Sequence, residues 1–75
     1  MNEQLKKGTY QHYKGNFYEV IGVAKHSETL ELMVVYKALY KTQEGNLWVR
    51  PLKMFLENVQ SSGEIVSRFK FINIK

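Results

Sequence analysis

His26-Ser27-Glu28-Thr29 packs a histidine, a hydroxyl and a carboxylate into consecutive positions, the parts of a proton-transfer relay. Neighbours in sequence seldom aim their side chains at one another, and no glycine-rich elbow frames Ser27, so the tetrapeptide does not read as a Ser/His/Glu triad. A metal centre needs three or four converging ligands. His12, His26 and Glu28 are the candidates, with no His-x-His or His-Glu-x-x-His spacing on one element, so no metal and no cofactor are expected. The ordinary work of Ser27 and Thr29 is turn and cap hydrogen bonding.

Arg50 is the second candidate. Its guanidinium is a fork-shaped donor suited to a carboxylate or phosphate, and it could equally tie down the polar turn by pairing with Glu28 or Glu31. Trp48 lies two residues earlier, so on a strand it shares a face with Arg50 while Leu47 and Val49 point the other way. An aromatic plane beside a guanidinium is a platform for a base or another planar ligand, although a lone tryptophan in so small a domain also serves to cap the core. Tyr10, His12 and Lys14 share a face of an earlier strand, with Tyr18 opposite them on the next. That surface suits a peptide or single-stranded nucleic acid, and a half-exposed strand without any ligand produces the same pattern. No phosphate-cradling glycine motif and no aromatic signature of an RNA-recognition motif occurs.

The elements that must position these groups read mainly as strands. Residues 1–7 are polar and expected to fray or form one helical turn. Thr9 to Tyr13 alternates aromatic and polar residues as a first strand, and Lys14-Gly15-Asn16 is a turn. Phe17 to Lys25 is a second strand, apolar on both alternating sets, with Gly22 marking a bend or a close backbone approach. After the turn His26–Thr29, the run Leu30 to Tyr40 is apolar enough for a helix, but Val34-Val35, the tyrosines and the short flanking turns favour a central strand. Residues 41–46 form a hairpin loop, and Leu47 to Arg50 a fourth strand ended by Pro51. Leu52, Phe55, Leu56 and Val59 then fall at i, i+3, i+4 and i+7 of a short helix, with Pro51 suited to its first turn. Gln60 to Gly63 reads as a loop, and Arg68 to Ile72 as a last strand that could close on the first. Five strands with a helical turn before the last are the layout of a small SH3-like barrel, spanning residues 8–72 as a single domain.

Three successive hairpins put the His26–Thr29 turn and Arg50 at one end of such a barrel, and His12 near the other. The second strand has nine residues, which at ~3.3 Å each separate its ends by roughly 30 Å if straight. His12 and His26 are therefore not expected to meet, whereas Glu28, Glu31 and Arg50 are.

Size and charge narrow the function classes. A 75-residue chain buries only about 60–65% of its unfolded surface and has room for one core, which disfavours an enzyme pocket with several buried polar groups. It has no cysteine for a disulfide or thiolate zinc site, so stability rests on packing four Phe, five Tyr, one Trp and the aliphatic set. Eleven Lys and Arg against seven acidic residues give a net charge of +4, spread along the chain with Lys6-Lys7 the one adjacent basic pair. Such a charge suits nucleic acid or an acidic partner, and also an ordinary solvated surface. No signal-peptide core and no run near the ~18–20 apolar residues of a membrane span is seen, so the default location is cytoplasmic, with no membrane partner.

The runs G-T-Y-Q-H-Y-K-G-N-F-Y-E-V-I-G-V-A-K-H-S-E-T, V-V-Y-K-A-L-Y and L-W-V-R-P-L-K-M-F together resemble a small bacterial family catalogued as domain of unknown function 1653. The resemblance covers Gly8 to about Glu57, with long motifs in the right order. His12, Tyr13, Lys14, His26, Ser27, Glu28, Thr29, Trp48, Arg50, Pro51 and Met54 match motif positions, and Ser67 stands where the family usually has proline. The resemblance implies an SH3-like small barrel and brings no established activity, so no catalytic residues carry over.

The reading preferred from these residues is a non-enzymatic binding module. It would engage a peptide, nucleic acid or small anionic ligand through His26, Ser27, Glu28, Thr29, Trp48 and Arg50 at the turn end of the barrel. A secondary surface would lie at Tyr10, His12, Lys14 and Tyr18. The alternatives are a small enzyme or enzyme subunit using His26 and Glu28 for proton transfer near Arg50, and a purely structural protein-interaction domain.

Overall fold

The computed structural model describes residues 5–40 and 45–73. The expected fraying of residues 1–4 and the hairpin loop over residues 41–44 lie outside the described residues. The elements run β1 (Gly8–His12), β2 (Phe17–Lys25), β3 (Leu32–Ala38), β4 (Leu47–Pro51), α1 (Leu52–Phe55), β5 (Asn58–Ser61), β6 (Glu64–Ser67) and β7 (Phe69–Asn73).

Strands β1 to β4 form an antiparallel meander, and β7 returns antiparallel beside β1, giving the order β4-β3-β2-β1-β7. The expected return of the last strand to the first is therefore present. The closed barrel is not: β4 and β7 are the two sheet edges and do not pair, so the sheet is open. The stretch from Leu52 to Ser67 goes into α1 and a separate hairpin in which β5 pairs only with β6, and no strand from it bridges the two edges. The fold is mainly β with one short helix.

Local chemistry explains most boundaries. Gly15 sits at φ +112° in the first turn, where its N–H reaches the His12 carbonyl at 2.7 Å. A β-bulge between Val20 and Gly22 shifts the β2–β3 register, so Tyr18 and Val20 face inward before it and Val23 after it. One extra residue exchanges the two faces of the strand. That exchange is why both alternating sets of β2 are apolar, and it supplies the bend expected at Gly22. A close approach is absent, since a Cβ on Gly22 would meet only the tip of Lys7 at 4.0 Å.

The inner face of the sheet carries Tyr10, Val20, Val34 and Tyr36, and α1 closes over it with Leu52 and Phe55. Phe69 from β7 completes the core, with Leu5, Tyr18, Leu32 and Phe71 packed around it. Ahead of β1, Leu5 packs on the core, Tyr10 donates its hydroxyl to the Lys6 carbonyl at 2.7 Å, and Lys6 Nζ stands 4.9 Å over the Phe71 ring. The helix is shorter than its apolar spacing implies. Leu56 is exposed and Val59 belongs to β5, because the chain turns after Phe55, with the Leu56 and Glu57 N–H groups bonding the Leu52 and Met54 carbonyls. No helix among the described residues is long and apolar enough to cross a membrane.

The expected loop over Gln60–Gly63 is instead the middle of a hairpin with a two-residue turn. Ser62 and Gly63 have φ of 52° and 81°, the pair of positive values that a type I′ turn demands. Asparagine tolerates the first of these positions better than serine. Ser62→Asn is expected to stabilise the protein by about 0.5 kcal/mol. The check is a shift of the urea midpoint to higher concentration at unchanged m; a lower midpoint would contradict the turn assignment.

Candidate functional site

The turn at His26–Thr29 satisfies itself. His26 Nδ1 accepts the N–H of Glu28 at 3.1 Å and of Thr29 at 3.3 Å, and Thr29 Oγ1 accepts the Glu31 N–H at 3.2 Å. The main chain closes the same loop, with His26 N–H to the Glu31 carbonyl and Leu30 N–H to the His26 carbonyl, both 2.8 Å. Ser27 and Glu28 point to solvent beside it. Leu30 pays for the tight closure with a left-handed φ of 64° and a side chain 66% exposed.

Arg50 does not join that turn. Among the described residues the one ion pair is Arg68 with Glu57 at 2.9 Å, so the expected pairing of Arg50 with Glu28 or Glu31 is absent. Register gives the reason. Arg50 stands opposite Val34, and Trp48 opposite Tyr36, so both side chains project from the inner face of the sheet. The arginine runs along β4 away from the turn: its Nε donates to the Tyr36 hydroxyl at 3.3 Å, and its guanidinium lies 5.5 Å from the centre of the Phe69 ring.

His12 reaches the same ring. Its imidazole meets Phe69 edge-on at 4.9 Å, which overturns its placement at the far end from Arg50. In a flat sheet β1 and β4 would stand three strand spacings apart, about 14 Å. Their side chains converge on Phe69 because the sheet curls strongly even though it does not close. His12 Nδ1 accepts the Lys14 N–H at 3.2 Å, which leaves the proton of the neutral ring on Nε2. Burial first, and then the positive charges of Arg50, Arg68 and Lys14, lower its pKa, so it is neutral at pH 7.

Tyrosines fill the rest of the inner face. Tyr18 packs edge-on to Tyr36, Tyr40 and Phe69 at 5.3, 5.6 and 5.6 Å, and its hydroxyl lies 2.8 Å from that of Tyr40. Burial, with the hydrogen bond to Tyr40 second, pushes the Tyr18 pKa up to about 12. A phenol whose pKa is raised by folding adds stability that is complete below the unfolded value near 10 and is lost as pH rises through the folded value near 12. Tyr40→Phe removes the second cause, so the expected result is a Tyr18 titration displaced downward. Ultraviolet phenolate absorbance resolves this, and an unchanged curve would show that the hydroxyl pair contributes nothing.

A model of the family described as a protein of unknown function, DUF1653, matches residues 8–71, from Gly8 at the start of β1 to Phe71 in β7. The chain belongs to that family. A crystal structure of a DUF1653 protein from Bordetella bronchiseptica is similar over 96% of this chain and 92% of that one, at 32% identity and a TM-score of 0.91. No curated protein matches the chain.

Within this DUF1653 fold the expected site residues thus divide into three groups. Trp48 and Arg50 share a face, and Arg50 meets the aromatic cluster; His12 and Tyr18 join it from the surface assigned to β1 and β2, with Lys14 exposed beside His12. Tyr10 is core, buried against Phe55 and Phe71 at 5.4 and 5.3 Å, and burial raises its pKa, so it offers no surface. His26, Ser27, Glu28 and Thr29 stand apart. Sequence reading missed Tyr36, Tyr40 and Phe69, which hold Arg50 and Tyr18. Its available signal was tyrosine rather than phenylalanine at the inward positions 18 and 36, since a buried phenol needs a partner for its hydroxyl.

A concavity adjoins the cluster. The β5–β6 hairpin stands off the sheet and leaves an open groove of about 530 Å³ against the end of β1 and β7, with Gln11, His12, Tyr13, Ser61, Ser67 and Lys70 among its lining residues. Among the described residues no three histidine or acidic side chains converge as metal ligands.

Proposed function

We propose that this protein is a non-enzymatic binding module whose Trp48–Arg50 face takes an anionic ligand bearing a planar group. One observation carries the reading: Arg50 is half-buried on an aromatic face and has no carboxylate partner among the described residues. Holding a cation partly out of water without a counter-ion costs free energy. A ligand carboxylate or phosphate would supply the missing acceptor through the free end of the guanidinium fork. Trp48, 38% exposed on the same face, gives the planar group a surface to lie on. The frame is read as an SH3-like small barrel left open along one side. Proton-transfer chemistry at His26 gains no support, because its Nδ1 is occupied by two backbone N–H groups and Arg50 lies elsewhere.

Titration of the labelled protein with inorganic phosphate and with uridine monophosphate, followed by amide shifts and Trp48 fluorescence, tests the reading. Shifts centred on Tyr36, Trp48 and Arg50 are expected, larger for the nucleotide than for phosphate. Silence at those residues up to millimolar ligand rejects it.

A further inference from the structure

We propose that the Arg50 face continues past His12 into the groove beneath the β5–β6 hairpin, and that the ligand spanning both is single-stranded RNA. The proposal rests on the reading of Arg50 as an anion-binding group and names its ligand.

His12 joins the two regions. One edge of its ring meets Phe69, the ring over which Arg50 lies, and the same residue lines the groove. Cations recur along this path. Arg50 stands at one end, Lys14 follows His12 in the chain with its N–H bonded to the imidazole, and Lys70 lines the groove. None of the three forms an ion pair among the described residues. A single small anion would use one of them; spaced cations suit a ligand with a repeating negative charge. Burial first, and then the charges of Arg50, Arg68 and Lys14, lower the proton affinity of His12.

Exposed rings accompany the cations, with Trp48 on the Arg50 face and Tyr13 under the Lys14 ammonium at 5.9 Å. Trp48 and Tyr13 are 38% and 36% exposed, and the Tyr13 ring lies 4.7 Å from that of His12 at a tilt of 33°. Exposed rings alternating with positive charges are what an unpaired nucleic acid strand requires, since each base offers a face for stacking and each linkage a phosphate. An acidic peptide would satisfy the cations and leave the rings without a function.

The groove selects the sugar. Its lining mixes the hydroxyls of Ser61 and Ser67 with the Glu64 carboxylate and the Lys70 ammonium, so donors and acceptors are both present. Glu64 repels a phosphate but accepts a hydrogen bond from a hydroxyl, which assigns the ribose 2′-OH to this position and the phosphates to Lys70 in the same lining and to Lys14 beside Tyr13. The volume, about 530 Å³, falls within the roughly 300–1,000 Å³ of small-ligand sites and accommodates a nucleoside.

The test compares uridine monophosphate, an oligouridine of about eight nucleotides and its deoxy counterpart. Amide shifts, Trp48 fluorescence and salt dependence are the readouts on the intact protein. Oligouridine is expected to bind at least about tenfold more tightly than the monophosphate, and to shift Tyr13, Ser61 and Lys70 as well as Trp48 and Arg50. Three phosphate contacts predict a slope of log K against log salt of about −2, and Lys70→Ala should reduce it by about 0.7. Glu64→Gln should narrow the preference for ribose over deoxyribose. If the monophosphate shifts Trp48 and Arg50 but the oligomer binds no better and the groove stays silent, the RNA proposal is overturned and the anion site stands. Equal affinity for the deoxy strand overturns the sugar assignment, and equally tight binding of oligoglutamate overturns nucleic acid as the partner. No shift with any phosphate-bearing probe removes both readings.

Discussion

Shortening Phe69 to alanine is expected to destabilise the protein by about 3–5 kcal/mol, a large share of its stability. Phe69 is buried and stacked face to face on Phe55, with ring centres 4.0 Å apart and planes 4° from parallel. His12, Tyr18 and Tyr36 meet it edge-on at 4.9, 5.6 and 5.6 Å. A Phe→Ala change in a core costs about 3–5 kcal/mol through lost burial and the cavity left behind. Native domains have only about 0.05–0.15 kcal/mol of stability per residue, or roughly 4–11 kcal/mol for a chain of this length. The substitution therefore removes a large share, and at the low end all, of the stability. Phe69→Leu fills more of the space and should retain the fold, while Ile72→Ala, at an exposed position of the same strand, should be nearly neutral. Urea unfolding at 25 °C orders the three. A loss below about 1.5 kcal/mol for Phe69→Ala would mean that the ring is not the pivot of the core.

Replacing Arg50 with methionine should move stability and binding in opposite directions. The guanidinium is half-buried with a single neutral acceptor, the Tyr36 hydroxyl, and no carboxylate partner among the described residues. Methionine keeps much of the stem's packing and deletes an uncompensated charge, so the free protein is expected to be unchanged or more stable by up to about 1 kcal/mol. Affinity for a phosphate-bearing ligand should fall by about ten- to a hundredfold, the value of a charge-assisted hydrogen bond at about 1.5–3 kcal/mol. Arg50→Lys retains the charge but loses the fork and should fall between them. A structural tie gives the reverse pattern: Arg50→Met would then lower the urea midpoint clearly and leave ligand affinity untouched. Paired unfolding and titration experiments on one sample separate the two roles.

The sequence pattern reaches some elements of this fold far better than others. Phe17–Lys25 carries its own signature, a β-rich run bounded by two polar turns, and the observed strand has those bounds. Arg68–Ile72 alternates charge with aromatic residues, and β7 lies within one residue of it and beside β1. The helical spacing of Leu52, Phe55, Leu56 and Val59 runs across a boundary that spacing cannot detect, so the helix is shorter than the pattern. Val59 is apolar because it pairs with Val66 in a hairpin, so two short-range patterns happened to join in phase. The Ser62-Gly63 turn was the signal for that hairpin, weaker than an Asn-Gly pair would have been.

The candidate site was legible only in its parts. Trp48 and Arg50 at a spacing of two already implied a shared face, and the register confirms it. The partners of Arg50 were not implied. Up-and-down order places it beside Glu28, but the side chain leans back along β4 toward Tyr36, the partner of Trp48, and toward Phe69. Likewise straight strands place His12 far from Arg50, whereas both side chains reach one ring.

Composition, alternation and motif order are properties of five to ten neighbouring residues, and they were enough for the mainly β class, the hairpin succession and the family. Whether the sheet closes, which way a half-buried cation turns, and which ends of the strands meet depend on a bulge after Val20, on sheet curl and on packing between residues distant in sequence. Those are sums of many long-range contacts, and no local pattern contains them. Tertiary structure alone therefore separated Trp48 and Arg50 from the self-satisfied turn at His26–Thr29 and set Arg50 against the aromatic face.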